Sequence, residues 1–301
     1  MDSMPPWPVV QSLLLTVVLP GFAVGAGLLA GVCIATRSES SRLIGGALAL
    51  AGGLALGNWA RGLLPWWSLE LGWPSLFPAT LAAIGGGVVA ELASSAQGWR
   101  RGLGLRFVAV AGCAFWLAPS GTPRAHLGFF VLLFAASALN WEVFRRGEVQ
   151  GFGRVTLLAL AIPWGIAAAT VLIHAHSARF CDLAVLQTST LAGVGIIAAR
   201  WRLDVTALFV GPAIFFPALM LGGAANTFSE VPGASFILIA LAPCALWCLR
   251  LRVFRRLSDR SRAATAVVAV LVFCVVAVVL AMRAETLDFG SLSHRSVTEY
   301  A

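Results

Sequence analysis

Ten long apolar stretches, roughly residues 9–36, 43–63, 76–97, 103–118, 125–144, 155–177, 183–199, 205–224, 234–249 and 264–282, leave little room for anything else in this 301-residue chain. Crossing the hydrocarbon of a bilayer takes about 20 apolar residues in helical form. The gaps between the stretches reach only about a dozen residues, too short to build a soluble domain. With 59% hydrophobic and 11% charged residues and a mean hydropathy of +0.89, an ordinary water-soluble fold is excluded. Nor does the chain alternate polar and apolar residues at period two, as a membrane barrel would. The expected fold is therefore all-α: a polytopic membrane helical bundle of about ten transmembrane helices, forming one integral membrane domain over residues 1–301 with a polar outer tail at 283–301.

Charge sets the expected orientation. All 21 basic residues are arginine, and arginine stays protonated at any physiological pH. Sixteen of them follow the first, third, fifth, seventh and ninth stretches, and six of those crowd into RLRVFRRLSDRSR at residues 250–262. The other side holds Arg61, Arg124, Arg179, Arg283 and Arg295. Short arginine-rich loops stay cytoplasmic, so both chain ends are expected outside. The net charge of +8 then describes an inner membrane face and not a nucleic-acid partner; the partner to expect is the lipid bilayer. The tryptophans agree, with Trp7, Trp59, Trp66, Trp67, Trp73 and Trp116 near the outer boundary, Trp99, Trp141, Trp201 and Trp247 near the inner one, and Trp164 alone in mid-span.

The start MDSMPPWP carries an acid and no base, the wrong composition for the opening of a secretion signal, so the first stretch is counted as a span. Five of the six cysteines, Cys33, Cys113, Cys244, Cys248 and Cys274, fall within spans and read as packing residues, while Cys181 is expected in an outer loop. No ligand spacing for a metal, Walker loop, dinucleotide glycine pattern or serine-nucleophile motif occurs, so no cofactor or metal is expected and the chain leans away from being an enzyme. Glycines recur as small-xxx-small pairs, Gly21 with Gly25, Gly27 with Gly31 and Gly53 with Gly57, a pattern that lets helices approach closely.

Read half against half, the chain partly repeats itself. SLLLTVVLP (12–20) meets TLLALAIP (156–163), LAGG (50–53) meets LAGV (191–194), FPA (77–79) meets FPA (216–218), and CAFW (113–116) meets CALW (244–247). The matches are collinear, and a repeat of five spans must insert in opposite senses, which predicts inverted halves at 9–144 and 155–282. Chance similarity between alanine- and leucine-rich helices is the competing account. Ten spans in two inverted fives resemble, in architecture, the bile-acid symporter and auxin-efflux types of secondary transporter. The chain has no Asn-Pro dipeptide, so none of those families' binding residues carries over. Separately, SEVPGASFILIALAPCALW (229–247) resembles a segment of uncharacterised multispanning bacterial membrane proteins. That likeness implies the bacterial cytoplasmic (inner) membrane as location and brings no activity with it.

Few polar groups fall inside the spans: Asn58, Glu91, Asn140, Glu142, His174, His176, Gln187 and the run Thr188, Ser189, Thr190. Ionisable groups inside a membrane are expensive and are functional candidates by default. Glu91, about six residues or 9 Å of helix from its cytoplasmic end, and Asn58 form the candidate intramembrane site. Glu142 precedes Arg146 by four residues, which an ion pair at the inner boundary explains. On the outer side His126, His174, His176 and Glu230 are weaker candidates; His174 and His176, two apart, sit about 200° around a helix and share no face. Spans three and eight, where FPA recurs beside Pro74, Pro78, Gly85, Gly86 and Gly87 and beside Pro212, Pro217, Gly222 and Gly223, are expected to kink or unwind at the bundle centre with Glu91 facing inward. Two functions follow: a secondary-transporter-like carrier of a small solute, or a non-catalytic membrane scaffold or subunit of a membrane complex.

Overall fold

The structure, a computed structural model, describes residues 11–12, 14–60, 75–97, 99–118, 122–149, 154–203, 206–226, 231–250 and 257–298. These residues form ten α-helices and no strand: α1 Leu19–Ala35, α2 Glu39–Ala60, α3 Leu76–Gln97, α4 Trp99–Leu117, α5 Pro123–Val149, α6 Arg154–His174, α7 Ala178–Trp201, α8 Val210–Asn226, α9 Gly233–Leu241 and α10 Asp259–Thr298. Each coincides with one of the apolar stretches. Six helical runs are long and apolar enough to cross a membrane, namely Leu14–Ala35, Glu39–Ala60, Leu76–Ser94, Pro123–Phe144, Ala178–Trp201 and Arg260–Ala284. Shorter apolar helices of 10–17 residues make up the other four.

Antiparallel neighbours dominate the packing, as short connections require. The closest pairs are α1 with α2, α3 with α4, α6 with α7, and α1 with α7. Helix α8 lies at the centre, touching α3, α5 and α9, and is buried without interruption from Val210 to Met220. Around it Phe144 stacks on Phe209 at 4.7 Å between centroids and Trp164 meets Phe216 at 4.6 Å. By contrast α10, the most apolar of the spans, leaves Val268, Val272, Val275, Val276 and Val279 exposed. In a bilayer those valines would face lipid.

The helices break elsewhere than the sequence suggests. Helix α3 runs unbroken, because Pro78 sits in its first turn, where a missing N–H costs nothing. Helix α8 also continues across Pro217. The interruptions are a π-helical turn, Leu14–Val18, ahead of Pro20, and the conversion of α9 into a 3₁₀ helix, Ala242–Arg250, at Pro243. One further expectation is revised: Cys181 lies buried in the first turn of α7 and not in a loop. Helix α10 continues to Thr298, through the polar stretch that begins at Arg283.

Candidate functional site

Besides Asn58 and the buried hydroxyls of Ser75, Thr80, Ser137 and Ser235, three places hold polar groups inside the bundle. The first is built by the α3–α4 hairpin. Its two helices come into contact at Gly102, where a β-carbon would run into Ser94 Oγ and stand 2.9 Å from the Ala90 carbonyl oxygen. That approach sets Glu91 and Arg106 at the same depth. The Arg106 guanidinium donates to Glu91 Oε2 at 2.5 Å and lies 5.5 Å from the ring centroid of Trp141 on α5. Arg106 is 12% exposed and Glu91 41%. Glu91 therefore does not face the bundle interior as expected: it meets a cation on the neighbouring helix and keeps an outward face. Arg106 also lines a groove between α4 and α5 with Trp141 and Glu142. The side chain of Arg146, the partner expected for Glu142, lies outside the described residues.

The second place is the break in α9. Pro243 has no N–H. An α-helix would need that N–H at the Ile239 carbonyl, and a 3₁₀ helix would need it at the Ala240 carbonyl. One proline thus denies the Ile239 carbonyl its α-helical donor and the Ala240 carbonyl its 3₁₀ donor. Ile239 keeps the Ala242 N–H and accepts a second bond from Trp164 Nε1 at 2.6 Å. Ala240 accepts from Asn140 Nδ2 at 2.8 Å, and the Cys244 thiol donates to Asn140 Oδ1 at 3.4 Å. Asn140 and Trp164 are fully buried. Unwound backbone survives in a bilayer only where protein satisfies it, and here two side chains do so. The signal was in the sequence, as a mid-span tryptophan and a mid-span proline in different helices, but nothing in it paired them.

The third is the polar run on α7. Thr188 donates to Ala184 O at 2.7 Å, and Ser189 and Thr190 both donate to Leu186 O at 2.9 Å. These hydroxyls are returned to their own helix. Gln187, near the middle of α7, is different: it is fully buried, and neither amide atom has a hydrogen-bond partner among the described residues.

The remaining candidates stay apart. Asn58 is buried near the end of α2 and donates to its own helix at Leu54 O, 2.8 Å. His126, in the first turns of α5, sits edge-on to Phe115 at 5.1 Å between ring centroids. His174 ends α6, and His176 follows in an exposed turn at φ 54°. Glu230 lies outside the described residues. No group of three or more His, Cys, Asp or Glu side chains placed to hold a metal ion occurs among the described residues. Comparison with protein-family models and with curated proteins finds no match to this chain.

Proposed function

We propose that the chain is a ten-span membrane protein, both ends outside, that serves as a non-catalytic scaffold or subunit of a membrane complex in a bacterial cytoplasmic membrane. Ten helices coinciding with ten apolar stretches support the span count, and the arginine distribution supports the orientation. The observation that carries the function is the use of interior polar groups as internal fastenings. Glu91 is neutralised by Arg106, the carbonyls freed at Pro243 are capped by Trp164 and Asn140, and the α7 hydroxyls bond to their own helix. A transport path needs polar groups left over for a solute. The packing also favours an asymmetric bundle. An inverted repeat would match the α1–α7 contact with one between α6 and α2; α1 and α7 are among the closest pairs, whereas α2 and α6 touch marginally at most.

A second reading, a carrier of a small solute, is favoured by Gln187 and by the Ser137 and Ser235 hydroxyls, all buried without a hydrogen-bond partner among the described residues. Burying an amide with no partner costs about 2–7 kcal/mol, and a solute or water passing that point would satisfy it. The two readings part on whether position 187 meets water. In a background with all six native cysteines replaced by alanine, Gln187→Cys in intact membranes should resist a membrane-impermeant maleimide from either side. Labelling from one side would favour the carrier and sink the scaffold reading.

A further inference from the structure

Glycines bring α2 against α7. A β-carbon at Gly57 would stand 2.6 Å from Leu186 Cδ2, and one at Gly53 would stand 2.8 Å from Thr190 Oγ1. Residue numbers fall along α2 as they rise along α7, so the two helices are antiparallel. Asn58 follows Gly57 and Gln187 follows Leu186, each turned about 100° around its own helix. In an antiparallel pair those turns carry both side chains to the same side of the plane that holds the two axes. Ser189, three residues on from Leu186, faces the other side, where Gly21 of α1 meets it. Asn58 and Gln187 are thereby neighbours in the interior, 5% and 0% exposed. Gln187 has both its oxygen and its nitrogen unpaired among the described residues. Asn58 gives one N–H to Leu54 O and keeps its Oδ1 and a second N–H.

We propose that Asn58 and Gln187 bind water between α2 and α7, one or two enclosed molecules that bridge the amides and clasp the two helices. Packed helices hold their axes about 8 Å apart, so side chains running side by side from them leave a gap wider than one direct hydrogen bond. The chemistry of the pair selects water. A cation would take the amide oxygens and leave the Gln187 nitrogen bare, and an anion would do the reverse. Water donates to Asn58 Oδ1 and Gln187 Oε1 and accepts from Gln187 Nε2, about the three bonds usual for a buried water. It serves whichever way either amide is turned. Bound water is also distinct from the bulk water that a maleimide at position 187 reports: bulk water needs an open path, and bound water needs only the two amides.

A cryo-electron microscopy map of the full chain in lipid nanodiscs, at a resolution that shows ordered water, tests this. A compact peak within hydrogen-bond distance of both amides is expected. No peak, a direct Asn58–Gln187 bond, or a peak too long for water overturns the proposal. Thermal unfolding supplies a second measurement. Gln187→Met and Asn58→Leu, each close in volume to the residue it replaces, should each lower the melting temperature by about 2–4 °C. The double variant should fall no further than the worse single one, because either loss already releases the bridge. An unbridged amide behaves in the opposite way: Gln187→Met raises the melting temperature and the two effects add, and either result overturns the proposal. Should a variant fail to fold, the wild-type map decides.

Discussion

Asn140 and Trp164 cap neighbouring carbonyls, yet they should not be equally costly to lose. Trp164→Phe removes one donor from the Ile239 carbonyl, which still holds the Ala242 N–H. Asn140→Leu leaves the Ala240 carbonyl with neither its 3₁₀ partner nor a side chain, and strips the acceptor from the Cys244 thiol. The expected costs are about 1 kcal/mol for the tryptophan, typical of one hydrogen bond within a membrane, and about 2–3 kcal/mol for the asparagine, where a buried acceptor goes unsatisfied. Thermal unfolding in mild detergent should therefore rank Asn140→Leu well below Trp164→Phe, and the reverse order would show that the capping geometry is wrong. Glu91 teaches the same lesson at the scale of one side chain. Its distance from the helix end was legible in the sequence; its partner was not, because Arg106 reads as one more loop-proximal arginine until the hairpin folds it back.

The two faces of α1 carry identical motifs with different fates. Gly21 and Gly25 lie against Ser189 and Thr190 of α7, where a β-carbon at Gly25 would stand 2.9 Å from the Thr190 carbonyl oxygen. Gly27 and Gly31 have nothing within 4 Å. Leucine at Gly21 and Gly25 should force α1 off α7, while leucine at Gly27 and Gly31 should leave the fold intact. Detergent-extracted protein that stays monodisperse after the second pair of substitutions and aggregates after the first would bear this out; equal tolerance of both would contradict the α1–α7 packing. Helix breaks follow the same rule at this scale. Prolines were visible at residues 78, 217 and 243, but only the last falls where unwound backbone has side chains ready to receive it.

The whole molecule presents a topology that can be tested without knowing its function. Sixteen of the 21 basic residues lie on the side assigned to the cytoplasm, so alkaline phosphatase fused after Ala301 should be active and fused after Arg256 inactive. The opposite pattern would invert every loop. The same global view separates the central helix from the peripheral one. Helix α8 is buried from Val210 to Met220, whereas α10 leaves a row of valines exposed, although both read as apolar runs.

From the sequence alone come the helical class, the ten apolar segments with boundaries close to those observed except at the end of α10, the expected orientation, and the short roster of polar residues from which any interior site must be drawn. These are consequences of one-dimensional quantities: apolar length against bilayer thickness, and arginine count by loop. Which face of each helix turns inward was decided by the tertiary structure. In water a helix advertises its buried side by being apolar there; in lipid both sides are apolar, so periodicity carries no inward signal. The contacts that give the polar residues meaning, Glu91 with Arg106, Asn140 with the Ala240 carbonyl, and Trp164 with the Ile239 carbonyl, join separate helices at sequence separations of 15, 100 and 75 residues. Composition and spacing have no means of recording such pairings; only the packed bundle makes them.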